Sequence, residues 1–152
     1  MPRVVAFSCD HAAYHIKDTI VDLIKGVSAD IEVLYLGPQN AGSVDYPDYA
    51  QVLCEAVTSG RAEVGVLLCG TGIGMSIAAN KVPGIRAALC HERLTAQLAR
   101  LHNNANVVCA GERIVGLEVI RDIITTFLTT EFTNEARHEK RIAKIHQLEP
   151  HA

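Results

Sequence analysis

Apolar residues in this chain come in two patterns that alternate. Short, nearly continuous runs occur at 3–8, 64–68, 85–89 and 106–109, and 31–36 alternates. Between them apolar residues recur every three or four positions. Ile16, Ile20, Leu23 and Ile24 form one such stripe, which Gly26 is expected to end. Val52, Leu53, Ala56 and Val57 form another within 49–59, closed by Gly60. Segments 75–80, 92–101 and 117–128 complete the set, the last with Ile120, Ile123, Ile124 and Phe127 inward. The runs predict buried strands and the stripes amphipathic helices. Five strand–helix alternations imply an α/β fold with a five-stranded parallel sheet covered on both faces.

No second compositional regime, internal repeat or low-complexity tract interrupts this pattern, so residues 1–152 are expected to form a single domain. The tail from 134 to 148 differs. Its apolar stripe is thin (Ile142, Ile145, Leu148), and Arg137 and Arg141 share one face at i, i+4 spacing. It reads either as a solvated terminal helix or as an arm that reaches a partner subunit.

Composition removes several classes of function. The 152 residues are 49% hydrophobic and carry a net charge of −3, which gives no broad electrostatic case for nucleic acid. No apolar run approaches the roughly 20 residues a membrane span needs. Five cysteines, an odd number with no Cys-x-x-Cys, argue against a disulfide framework or a zinc cage. Reduced thiols and an N-terminus that runs straight into a strand fit a cytoplasmic protein.

The stretch most suited to chemistry is 66–81. An apolar strand ends at Cys69, turns through Gly70, Gly72 and Gly74, and leaves as a helix. Glycines let backbone N–H groups converge on one point, and a helix start adds its positive end. That end favours a thiolate, whereas burial opposes it. Ligands of open parallel sheets bind beyond the strand carboxyl ends where strand order reverses. For the order 2-1-3-4-5 this point lies between strands 1 and 3, bringing Asp10 and His11 beside Cys69. The turn is not a dinucleotide loop: its spacing is Gly-x-Gly-x-Gly, it follows strand 3, and strand 2 ends without an acidic residue. His102 and Asn103 fall where the fourth helix gives way to a loop. Asp10 reads equally as a helix cap, and His11 and His102 as surface imidazoles.

Six blocks then add up to a family. They are Ser-Cys-Asp-His-Ala-Ala at 8–13, Asp-Tyr-Pro-Asp-Tyr-Ala at 45–50, and Cys-Gly-Thr-Gly-Ile-Gly-Met-Ser-Ile-Ala-Ala-Asn-Lys at 69–81. Gly-Ile-Arg-Ala-Ala at 84–88, His-Asn-Asn-Ala-Asn-Val-Val at 102–108 and Arg-His-Glu-Lys-Arg at 137–141 complete them. The chain closely resembles the ribose-5-phosphate isomerase B group of sugar-phosphate isomerases, which includes galactose-6-phosphate isomerase. The resemblance implies a Rossmann-like three-layer α/β/α sandwich and a homodimer or dimer of dimers with active sites at the interface. The 134–148 helix would then pack on a partner subunit. No metal or other cofactor is implied.

The implied reaction is aldose–ketose interconversion of D-ribose 5-phosphate and D-ribulose 5-phosphate through an enediolate. By the same resemblance Cys69 is the base at C2 and His102 opens the sugar ring, with Asp10 near O1 and O2. Asp45, Tyr46 and Asn103 are placed at the sugar, and His11, Arg113, Arg137, His138 and Arg141 at the phosphate. The amides of Gly70, Gly72 and Gly74, with the Thr71 hydroxyl, would meet the developing oxyanion. One branch of the family carries glutamate where this chain has Met75 and glycine where it has Cys69, which places this chain in the cysteine branch. A hexose 6-phosphate isomerase and a noncatalytic sugar-phosphate sensor are the alternatives.

Overall fold

The computed structural model describes residues 1–150. The strands are β1 (Val4–Cys9), β2 (Glu32–Tyr35), β3 (Val64–Cys69), β4 (Ala87–Leu89) and β5 (Val107–Gly111). The helices are α1 (Lys17–Val27), α2 (Tyr46–Thr58), α3 (Ile73–Ala79), α4 (Arg93–Asn103), α5 (Leu117–Thr129) and α6 (Ala136–His146). All four strand pairings are parallel.

Side chains of successive strand residues alternate between two cores. Val5, Phe7, Cys9, Val66, Leu68 and Val108 join α1, α4 and α5 on one face. Ala6, Leu67, Cys69, Val107 and Cys109 join α2 and α3 on the other. This is the expected three-layer sandwich, and strands buried on both sides explain the unbroken apolar runs. Among the described residues no helix is long and apolar enough to cross a membrane.

One part of the topology differs from expectation. The strand order is 2-1-3-5-4, so β5 rather than β4 lies beside β3. All five residues of β5 are buried, whereas the three of β4 are only partly so. The strand with two apolar faces takes the interior place, and the short one takes the edge. The exposed edge of β4 is blunted by Asn80, whose amide donates to Ala87 O (2.9 Å) and accepts from Ala87 N (2.9 Å). The exchange leaves β1 and β3 adjacent, with Cys9 opposite Leu68.

Three helix details also differ. Helix α1 runs through Gly26 to Val27. Helix α2 begins three residues earlier than expected, at Tyr46 behind Asp45, with Pro47 in its first turn. Its buried positions are Ala50, Leu53, Cys54 and Ala56, and Val52 faces out. Helix α4 extends to Asn103, so His102 and Asn103 sit on its last turn rather than in a loop. Helix α6 lies outside the sandwich against α4 of its own chain, with Arg137, Arg141 and Ile145 exposed.

Candidate active site

The carboxyl ends of β1 and β3 are joined by Asp10 N–H donating to Leu68 O at 3.2 Å. Asp10 is only 6% exposed, and its Oδ1 accepts from Ala12 N–H at 3.0 Å. That Asx-type turn fixes the carboxylate at the sheet edge. His11 is exposed, and its Nδ1 accepts from Val44 N–H at 3.1 Å. The loop after β2 is thereby held across the end of β1. This places Asp45 and Tyr46, at the start of α2, on the same edge.

Cys69 is the last residue of β3, 4% exposed, and its Sγ accepts from Gly72 N–H at 3.0 Å. Gly72 has φ +76°, and a Cβ there would stand 2.7 Å from the Ala110 carbonyl carbon. Only glycine satisfies both conditions. Thr71 Oγ1 accepts from Ile73 N–H at 3.2 Å, opening α3. The first bond of the helix, Ser76 N–H to Gly72 O at 3.0 Å, leaves the Gly74 and Met75 amides ahead of it. A Cβ on Gly74 would meet the Tyr46 ring at 2.5 Å, so that ring lies directly on the turn. Arg113 N–H donates to Gly70 O at 2.9 Å, and the guanidinium side chain passes 3.4 Å from where a Gly70 Cβ would be. Asp10, His11, Asp45, Tyr46, Cys69, Gly70, Thr71, Gly72, Gly74 and Arg113 therefore share one sheet edge.

The other expected residues lie elsewhere. His102 and Asn103 lead into the amino end of β5, where Gly65 N–H donates to Asn106 O at 2.9 Å. At the far end of that strand Gly111 pairs with Cys69. Four strand steps separate the two ends, about 13 Å at roughly 3.3 Å each. Around His102 gathers a second cluster. Its ring stacks on His138 of α6, centroids 4.5 Å apart and planes 19° from parallel. His138 is 4% exposed, and among the described residues its Nε2 has no hydrogen-bond partner. Burial, with Arg137 and His102 nearby, pulls its pKa below the usual imidazole value. Arg137 donates to Glu135 Oε2 at 2.9 Å, and Arg141 is exposed one turn further on. Each chain thus carries two half-constellations at opposite ends of its sheet.

The sequence profile described as Ribose/Galactose Isomerase matches residues 5–145. The chain belongs to that family. The type B ribose 5-phosphate isomerase of Leishmania infantum is 57% identical, with a TM-score of 0.94 over 97% of each chain. That of Trypanosoma brucei is 52% identical, with a TM-score of 0.95 over 98% of this chain and all of the other. Ribose-5-phosphate isomerase B of Escherichia coli is 41% identical over 97% of each chain.

Within the family frame two residues matter that the sequence reading did not single out. Gly111 ends β5 so close beneath the glycine turn that a Cβ would collide with the Thr71 backbone. Its only sequence signal is a glycine closing an apolar run. Arg86 belongs to the Gly-Ile-Arg-Ala-Ala block but had no role, and its side chain turns out to reach the end of α4. Among the described residues no group of three His, Cys, Asp or Glu side chains is arranged to hold a metal ion.

Proposed function

We propose that the protein interconverts D-ribose 5-phosphate and D-ribulose 5-phosphate, in sites each shared between two copies of the chain. The observation that carries this reading is Cys69 Sγ, held by Gly72 N–H beside a buried Asp10 at the switch point of the sheet. The similarity to type B ribose 5-phosphate isomerases supports the choice of substrate.

In the proposed reaction the Cys69 thiolate takes the C2 proton of the open-chain aldose. The C2–H electron pair forms the C1=C2 bond, and the carbonyl pair moves to O1, giving the enediolate. Amides of the glycine turn and the Thr71 hydroxyl meet that charge, and one such donor is typically worth about 2.7–4 kcal/mol of barrier. A proton passes from O2 to O1 alongside Asp10. The O2 carbonyl then forms, and the Cys69 thiol returns its proton to C1. Met75 has no exposed surface and packs in the core, so it offers no competing base.

His102 would open the furanose, and Asp45, Tyr46 and Asn103 would hold hydroxyls. Arg137, His138 and Arg141 would take the phosphate together with His11 and Arg113. The two half-constellations cannot meet within one chain. A second copy related by a two-fold axis would bring the amino-end cluster of each chain to the carboxyl edge of the other, making two equivalent sites.

The test is Cys69→Ala assayed by turnover and by solvent deuterium incorporation at C2. Loss of both with retained sugar-phosphate binding is expected, and full activity would refute the base assignment. Deuterium incorporation by the unaltered protein would itself exclude a noncatalytic sensor. The family profile also spans galactose isomerases, and one extra carbon is worth only about 1–3 kcal/mol of discrimination. Side-by-side rates on pentose and hexose phosphates decide between them. Sedimentation of the intact protein as a monomer would sink the shared site.

A further inference from the structure

The last turn of a helix leaves carbonyl groups without internal partners, and here that turn carries His102 and Asn103. Helix α4 meets this need with arginines from outside itself and from its own previous turn. Arg86, just before edge strand β4, donates from Nε to Asn103 O and to Asn104 O, each at 3.1 Å. Its Nη2 donates to Asn104 O at 2.8 Å. Arg100 takes the next carbonyl, Ala105 O, at 2.6 Å, and the Asn104 side chain at 2.9 Å. Asn104 itself is left-handed, φ 43°. The segment that follows His102 is therefore closed by guanidinium groups.

Arg86 does more than close the helix. Its Nη1 lies 2.8 Å from His146 Nε2 at the end of α6. An arginine can only donate, so Nε2 accepts, and the ring N–H on Nδ1 donates to Glu149 Oε1 at 2.9 Å. Glu149 in turn accepts from Gly84 N–H at 2.7 Å, two residues before Arg86. Arg86 is anchored from behind as well: its amide donates to Asn106 Oδ1 at 2.8 Å, and Asn106 Nδ2 donates to Gly84 O at 2.9 Å. One half-buried guanidinium thus ties the end of α4 and the end of α6 to the edge strand.

We propose that Arg86 is a positioning residue that sets the geometry between His102 on α4 and the phosphate-binding residues on α6. It touches no substrate atom and acts through the Asn103 and Asn104 carbonyls and the His146 ring. This rests on the reading of His102 as the ring-opening group. Lysine is a poor substitute, because a point charge cannot serve two helix ends in the fork geometry that guanidinium provides.

Ribulose 5-phosphate provides the discriminating substrate. Its O5 carries the phosphate, so it cannot close to a furanose and needs no ring opening. In Arg86→Lys, kcat on ribose 5-phosphate should fall about tenfold to a hundredfold, the scale of a misplacement near 1 Å. Deuterium exchange from solvent into ribulose 5-phosphate at saturating concentration, which uses Cys69 and the glycine turn but no ring opening, should be retained. Millimolar guanidinium ion should restore part of the lost turnover in Arg86→Ala. Equal loss of both reactions, or unchanged turnover in a folded variant, overturns the proposal. If Arg86→Ala does not fold, Arg86→Lys carries the test alone. Should the unaltered protein turn over no sugar phosphate, the proposed function fails by itself. Arg86 is then judged from Arg86→Lys by amide exchange at Asn104 and Ala105 and by the His102 ring resonances: faster exchange and shifted resonances uphold it, and unchanged ones overturn it.

Discussion

The imidazole rings of His102 and His138 stack 4.5 Å apart, one from the end of α4 and one from the start of α6. The contact joins two helices separated in sequence by β5 and α5. It also buries His138 beside three cationic or potentially cationic neighbours, Arg137, Arg141 and His102, with Glu135 Oε2 4.0 Å away as the one carboxylate facing it among the described residues.

This burial has a pH consequence. The pKa of His138 is lowered in the folded chain, first by burial and then by Arg137 and His102. A lowered pKa means that the unfolded chain binds the proton more readily. Stability is therefore full above the unfolded value, about 6.5, and falls as the pH drops from there toward the folded value. His138→Phe keeps a ring against His102 and removes the titration. Denaturant midpoints compared at pH 7.5 and 5.5 should show a smaller decline in the variant than in the unaltered chain. An identical decline in both would place the pH sensitivity elsewhere.

Gly26 gives a prediction of opposite sign. It lies exposed in α1, and a Cβ there would meet no atom of the described residues within 4 Å. Its φ is not in the left-handed region, so it imposes no requirement for glycine. Gly26→Ala should stabilise the protein by about 0.5–1 kcal/mol through helix propensity and the entropy of the unfolded chain. Thermal unfolding should shift upward by about 1–4 °C for a chain of this size. A decrease would mean that α1 ends before Gly26 in solution.

Gly26 also shows where sequence reading loses force. Glycine is a frequent helix stop, but Val27 still packs against the apolar core and draws the helix one residue past it. Strand identity was legible because burial on both faces writes itself as unbroken apolar runs. Strand order was less so, since Ala87–Leu89 and Val107–Gly111 are both apolar and only packing separates the edge strand from the inner one. The carboxyl-edge residues were legible as a group because a parallel sheet places strand ends together. His102 was legible as preceding strand 5, which places it at an amino end, but the carboxyl edge it would serve belongs to another copy and leaves no mark in the order of this chain. Arg86 was invisible because its partners at the end of α4 are carbonyl groups, which every residue has.

The five thiols should separate by reactivity. Burial pushes the thiols of Cys9 and Cys90 up to about 11 and that of Cys54 to about 12, and Cys109 is raised as well. At pH 8 a thiol near 11 is ionised in about one molecule in a thousand, and the thiolate is the nucleophile. Cys69 stands at the sheet edge, where the glycine turn opens. Iodoacetamide at pH 8 should label Cys69 before the other four, with activity lost in step. Peptide mapping that finds Cys9 or Cys90 modified first would contradict this order.

The sharpest steric test of the glycine turn is Gly111. It lies under Thr71 and needs no left-handed conformation, so any effect of a methyl group there comes from collision alone. The colliding atoms belong to backbone, which cannot rotate away, and the turn carrying Gly70 to Gly72 must lift. Gly111→Ala should destabilise the protein by about 1–3 kcal/mol, the usual cost of overpacking. It should also lower kcat by about a hundredfold, because the Cys69 and amide geometry shifts with the turn. Gly60→Ala supplies the control. Gly60 has φ +81° with open space around it, so alanine there adds about 1–2 kcal/mol of backbone strain. The two variants should be similarly destabilised, while only Gly111→Ala loses turnover. If both keep their activity, the turn is not part of the catalytic apparatus. If both lose it equally, general instability rather than displacement of the turn explains the loss.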